Sequence, residues 1–188
     1  MEYFEDLTFK KKDYTKNALT NGLYEQCNFE HCDFSKSDLN DCNFTDCTFS
    51  FCNLSLANVT NTKFNGCTFK DCKMIGIKFQ LVSQFGLSFS FFNCNLNDSL
   101  FTNLHLEGST FSNCSLQFVD FTAANLENAV LKDCDLQDAV FFNTNLVKVN
   151  FTGSFGFIID PDANSILKAT FSSETLSGLL TKYKLTIV

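Results

Sequence analysis

Large apolar residues recur every fifth position through the first half of the chain: Phe9, Tyr14, Leu19, Tyr24, Phe29, Phe34, Leu39, Phe44, Phe49, Leu54, Val59, Phe64, Phe69, Met74 and Phe79. Two positions before each stands a smaller residue, as in Cys27, Cys32, Ser37, Cys42, Cys47, Cys52, Ala57, Thr62, Cys67 and Cys72. The residue between the two is mostly Asn, Asp, Thr or Lys. In, out, in is the alternation of an extended strand. The next two positions are mostly polar and must turn a corner before the pattern restarts. Short sides joined by corners predict a coil, not a sheet of long strands.

Vertical identity sets the number of sides in a turn. Cys27, Cys47 and Cys67 lie twenty apart, as do Cys32, Cys52 and Cys72. Cys94, Cys114 and Cys134 keep the same spacing, with Leu96, Leu116 and Leu136 two positions after them. Four five-residue sides per turn follow. Strands stack about 4.8 Å apart, and identical shapes at that spacing fill a core without voids. All ten cysteines keep the beat, so they read first as packing units.

The segments Cys32-Asp-Phe-Ser-Lys, Ser37-Asp-Leu-Asn-Asp, Cys42-Asn-Phe-Thr-Asp and Ala124-Asn-Leu-Glu-Asn carry a small–Asp/Asn–Leu/Phe–x–x signature. In this the chain resembles the pentapeptide-repeat family over roughly residues 7–153. The resemblance implies an all-β fold, a right-handed quadrilateral parallel β-helix.

The expected organisation is a β-helix over 1–153 and a C-terminal capping or dimerisation module over 154–188. Counting forward from Phe79 and back from Leu96 leaves two extra residues within Gln80–Ser90. A bulge near Gly86 would absorb them, since glycine accepts positive φ. Past Phe151 the beat fades, and Pro161 marks an irregular connection. Ser172 or Ser173 is a candidate N-cap for a helix with Leu176, Leu179, Leu180 and Tyr183 on one face. Lys182 and Lys184 would sit near its C-terminus, and Leu185–Val188 reads as a closing strand. An open coil end invites uncontrolled stacking, so such arrays carry caps. In the quinolone-resistance members of the family, a C-terminal helix and strand build a two-fold dimer. The resemblance therefore makes Leu176, Leu179, Leu180 and Tyr183 candidates for a homodimer interface.

Composition narrows the chemistry. A formal net charge of −7 opposes direct binding to a phosphate backbone, which needs clustered Lys and Arg. The acidic opening does not resemble an export signal, and no apolar run reaches the ~18 residues of a membrane span. The expected compartment is the cytosol, where thiols stay reduced. Cysteines five apart fall on different sides of a coil, and no C-x-x-C pair exists, so no metal site is expected. His31 and His105 fall on separate coils and cannot share a triad. No phosphate loop, H-E-x-x-H or G-x-S-x-G occurs. A filled coil has no pocket for a substrate. The expectation is a protein without cofactor or catalytic residues.

Recognition is left to the exterior. Glu25, Glu30, Asp33, Asp38, Asp41 and Asp46 should ring one coil, while Asp98, Asp133, Asp135 and Asp138 gather on and beside one side of the second segment. Phe118 falls between Asp98 and Asp138 by phase, and Phe51, Phe142, Val130, Val140 and Val147 also face outward. Some members of the resembled family mimic DNA, occupying the DNA-binding saddle of DNA gyrase or topoisomerase IV and shielding it from quinolones or toxins. Seven coils would span about 34 Å, where B-DNA carries about twenty phosphates, so mimicry here must depend on where the acids sit. The alternative is a structural rod docking a protein partner through Phe118, Phe142 and Val140.

Overall fold

The computed structural model describes residues 1–186. The chain winds as a right-handed quadrilateral parallel β-helix of about eight turns. The first side carries Phe4, Tyr24, Phe44 and Phe64, and the second Phe9, Phe29, Phe49 and Phe69. The third carries Tyr14, Phe34, Leu54 and Met74, and the fourth Leu19, Leu39, Val59 and Phe79. On the first side β1 (Glu2–Glu5), β3 (Gly22–Glu25), β5 (Asn43–Thr45) and β7 (Lys63–Asn65) form one sheet. On the second side β2 (Thr8–Lys10), β4 (Asn28–Glu30), β6 (Thr48–Ser50), β8 (Cys67–Lys70) and β9 (Phe89–Phe92) begin a nine-stranded sheet. It continues through β10 (Thr110–Ser112), β11 (Val130–Lys132), β12 (Asn150–Phe151) and β13 (Thr170–Phe171). Every pairing is parallel, and Phe9, Phe29, Phe49 and Phe69 stand in register. The third and fourth sides are held by single bridges, such as Asp33 to Asn53 and Asp38 to Asn58.

The interior is a stack of like on like. Along the second side the rings of Phe9, Phe29, Phe49 and Phe69 lie parallel at 4.8, 4.7 and 4.9 Å, inside the favoured range for offset aromatic pairs. Rings on adjoining sides meet edge to face, as Phe44 and Phe49 do at 5.4 Å. All ten cysteines are buried and unpaired. Their thiols point at backbone carbonyls: Cys52 Sγ lies 3.3 Å from Phe29 O and 3.4 Å from Ser50 O. Burial pushes the Cys47 thiol up to about 12 and raises Cys42 as well. Ser99 and Thr144 occupy the same small position elsewhere and donate to the equivalent carbonyls.

The corners explain the polar composition. The last residue of nearly every repeat holds φ between 51° and 61° at non-glycine positions from Asp6 to Lys168. This left-handed region is tolerated best by glycine, then by Asn and Asp. Asx residues at the outward position do a second job. Ser35 N donates to Asp33 Oδ1 at 2.9 Å, and Asn40 N to Asp38 Oδ1 at 3.0 Å. Each such turn satisfies an amide the corner would otherwise leave unpaired.

At the register break, the pairing offset changes from twenty residues (Asn53 with Lys73) to twenty-two (Lys73 with Asn95). Ser83 N still donates to Thr62 O in the old register, whereas Ser88 N donates to Phe64 O, so the extra residues lie between Ser83 and Ser88. Gly86 holds φ +72° there. The bulge removes the large residue of the first side from that coil. Phe89 fills the gap from the neighbouring side, packing 5.4 Å from Phe79 and 5.7 Å from Phe64.

The C-terminal part departs from expectation in three ways. First, the coil does not stop at residue 153. Asp135 bridges Phe155, Asn145 bridges Ser165, and β13 pairs with β12 in unbroken register. Gly156 and Pro161 occupy two consecutive large-apolar positions, which hides this turn from a hydrophobicity count. Second, residues 173–183 do not form one continuous helix. Turns of 3₁₀ helix at Ser173–Thr175 and Thr181–Tyr183 flank α1 (Ser177–Leu180). Gly178 lies so close to Phe157 O that a Cβ would stand 2.3 Å from it, so seating on the coil end, not helix propensity, sets the path. Ser172 Oγ accepts from Gly153 N and caps no helix. Third, Lys182 Nζ reaches Asp160 at 2.5 Å and also Asp162, clasping the segment to the coil. This holds the Asp160 carboxyl below its ordinary range. Leu185 and Thr186 are not in a strand, and Ile187 and Val188 lie outside the described residues.

Candidate interaction surface

Concavities among the described residues lie at the surface between outer columns, as the one lined by Leu56, Gly76, Lys78 and Leu81 does. Among the same residues no three His, Cys, Asp or Glu side chains converge to hold a metal ion. No described helix is long and apolar enough to cross a membrane. The interior is filled by buried apolar side chains, so the groups open to solvent lie on the outer columns.

The fold separates the predicted acids into two groups. Asp33 faces out from the third side and Asp38 from the fourth. Asp41 and Asp46 stand at the two corners of the first side. These four point in different directions and cannot meet one partner face together. Three of them also work within the coil: Asp33 and Asp38 in the turns described, and Asp41 as acceptor from Asn40 and Asn61 at 2.8 and 2.5 Å.

Asp98, Phe118 and Asp138 do converge. Asp98 N donates to Gln117 O and Phe118 N to Gln137 O, which stacks the three on successive coils at the corner of the third and fourth sides. Asp98 and Asp138 make no side-chain hydrogen bond or ion pair among the described residues. Asp135 lies beside them on the third side, accepting from Gln137 N at 3.1 Å and Gln117 Nε2 at 2.6 Å. Asp133 stands at the opposite corner of that side, with Lys132 Nζ 3.8 Å away.

Backbone torsion separates residues that fit a corner from residues that do not. Asp at φ 60° (Asp98) or 57° (Asp138) fits its corner conformationally. Phe118 at φ 57° does not: a bulky side chain there costs about 1–2 kcal/mol, and its ring is 55 % exposed. A residue that is strained and bare at once has no stabilising reason for its place. Among the described large apolar residues, Phe51 and Leu56 share both properties.

The sequence pattern had overlooked the next residues of the same columns. Phe155 sits over Asp135 on the third side, while Ile158 keeps the twenty-residue phase of Asp138 without the corner's positive φ; both are more than half exposed. On the adjoining fourth side Leu100, Asp120 and Val140 follow one another through paired bridges. Acidic and apolar groups therefore alternate from coil to coil along this edge. The twenty-residue phase of Phe155 and Ile158 was the available signal, masked by the irregular repeats around them. Of the dimer candidates, Leu179 packs against the core and Leu180 is half-buried, while Leu176 and Tyr183 are exposed.

Models of known families match this chain as "Pentapeptide repeat region" over residues 24–89 and as "Pentapeptide repeats (8 copies)" over 90–128 and 120–155. Similar solved structures include a trypsin-treated variant of QnrB1, described as a plasmid-mediated fluoroquinolone resistance protein. It is 21% identical with a TM-score of 0.49, over 98% of this chain and 99% of that one. Full-length QnrB1 is 18% identical with a TM-score of 0.42, over 98% and 100%. HetL, a pentapeptide repeat protein involved in heterocyst differentiation regulation from the cyanobacterium Nostoc, is 14% identical with a TM-score of 0.40, over 89% and 84%. A search of curated proteins gives no significant match.

Proposed function

The chain belongs to the pentapeptide-repeat family, and we propose that it is a non-catalytic cytosolic rod that mimics DNA. Its partner on this reading is the DNA-binding surface of a type II topoisomerase, DNA gyrase or topoisomerase IV, which it shields from quinolones or toxins. The observation that carries the reading is the Asp98–Phe118–Asp138 column with Asp135 beside it. Two carboxylates without side-chain partners among the described residues stand about 10 Å apart, with an apolar group between them that the fold does not need. Carboxylates so placed suit a groove lined by Lys and Arg, and Phe118 supplies the desolvated centre of a contact.

Binding of the purified protein to gyrase at low salt tests this, with DNA supercoiling as the second readout. We expect affinity to fall steeply with added salt. The triple variant Asp98→Asn, Asp135→Asn, Asp138→Asn should weaken it by about tenfold or more. Absence of binding at low salt, together with unchanged supercoiling, rejects the proposal. The exposure of Phe118, Val140 and Phe142 favours a second reading, a rod docking another protein through apolar contacts. There the triple variant binds normally and Phe118→Ser does not.

A further inference from the structure

The N-terminal coils carry their charge in bands. One coil holds Glu25, Glu30, Asp33 and Asp38, the stretch from Cys47 to Thr62 has no charged side chain, and the next holds Lys63, Lys70, Lys73 and Lys78. On the third side the bands align vertically, because Asp33 bridges Asn53 and Asn53 bridges Lys73. One corner of that side stacks His31, Phe51 and Asp71, the first two with rings parallel at 4.9 Å. The other stacks Lys36, Leu56 and Gly76. Phe51 and Leu56 are 56 % and 55 % exposed, and both sit at corners with positive φ. Lys73 and Lys36 have no carboxylate within ion-pairing distance among the described residues.

We propose that the third side is a self-association surface on which a second copy of this chain packs with its axis reversed. A two-fold axis along the strand direction through the uncharged coil exchanges the acidic band of one copy with the basic band of the other. Asp33 then meets Lys73 of the second copy, and His31 meets its Asp71, each contact occurring twice. Phe51 packs on Phe51 and Leu56 on Leu56 at the centre, and at the rim Lys16 comes opposite Asp98. No like charges face each other. An isologous interface requires this self-complementarity. Packing with parallel axes would set Asp33 against Asp33 and Lys73 against Lys73, which repel. The contact spans five coils, roughly 24 Å, which is small for a protein interface. The dimer is therefore weak and sensitive to salt.

Sedimentation velocity across a concentration series, at low and high salt, tests the proposal. The wild-type chain should dimerise at low salt and dissociate at high salt. Asp33→Lys and Lys73→Asp should each weaken self-association by about tenfold or more. An equimolar mixture of the two should form a heterodimer, because every reversed charge again meets its opposite. Phe51→Asn should also weaken the dimer while thermal stability holds or rises, since Asn suits that corner. A wild-type chain that stays monomeric at millimolar concentration and low salt overturns the proposal, as does a mixture that fails to pair. A dimer that survives these changes but is lost on Leu176→Ser with Tyr183→Ser places the interface on the C-terminal segment and also overturns it.

Discussion

Phe111→Ala should lower the unfolding free energy by about 3–5 kcal/mol, while Phe118→Asn, seven positions along the chain, should leave it unchanged or raise it by up to about 1 kcal/mol. Phe111 is fully buried. Its ring lies parallel to Phe91 at 5.0 Å and edge-on to Phe101 and Phe121 at 5.8 and 6.0 Å. Truncation removes one tier from the middle of the aromatic stack, and the coils above and below cannot collapse into the gap without breaking their ladder. In a linear array each coil leans only on its neighbours, so a lost middle tier also separates the two ends. Denaturant unfolding of Phe111→Ala should accordingly be less cooperative, with a smaller m-value or a second transition. Phe118 has no such neighbours, and Asn relieves its corner strain. Equal losses for the two variants would mean that the inside and outside have been assigned wrongly.

The second large effect concerns the thiol column. Cys94→Asp should destabilise the fold by more than about 4 kcal/mol at neutral pH, whereas Cys94→Ser should cost about 1 kcal/mol. The serine variant has precedent in the chain itself. Ser99 Oγ donates to Met74 O at 3.0 Å and Ser154 Oγ to Leu131 O at 2.6 Å, the same kind of contact that Cys94 Sγ makes with Phe69 O and Phe92 O. A carboxylate in that place would have no water and no cation. Its pKa in the folded state is thus raised above the unfolded value near 3.9. The folded state then holds the proton more tightly, so the penalty is smallest below about pH 4 and grows as the pH rises. Chemical denaturation of both variants between acidic and neutral pH measures this. A pH-independent deficit for Cys94→Asp would show that water reaches the column.

The coil was legible because its core obeys a rule visible in one dimension. Identical residues twenty apart announce stacking before any coordinate is known. The last turn was lost where that rule is interrupted, at Gly156 and Pro161, although Ile166 and Phe171 keep the phase. The C-terminal segment misled for a different reason. Leu176, Leu179, Leu180 and Tyr183 match a helical face, but the close approach of Gly178 to Phe157 O is a three-dimensional demand that no periodicity reports. On the surface, the phase of Asp98, Phe118 and Asp138 could be read directly. Torsion could not: that corners need positive φ, which suits Asp and penalises Phe, appears only in the folded backbone. It turns part of the acidity into a conformational preference and singles out Phe51, Leu56 and Phe118. The facing of Asp33 and Lys73 across a reversed axis needed both the bands and the knowledge of which side each residue occupies.

Thiol labelling of the native chain with a chromogenic disulfide reagent tests the solid interior most directly. Thiolate is the reactive form and must be reached by the reagent, and all ten cysteines are buried against the aromatic stack. The folded protein should therefore show no rapidly reacting thiol, and all ten should react once denaturant is added. A subset that reacts at once in the folded state would mean that the coil holds an accessible cavity, and the claim that only the exterior recognises partners would fail.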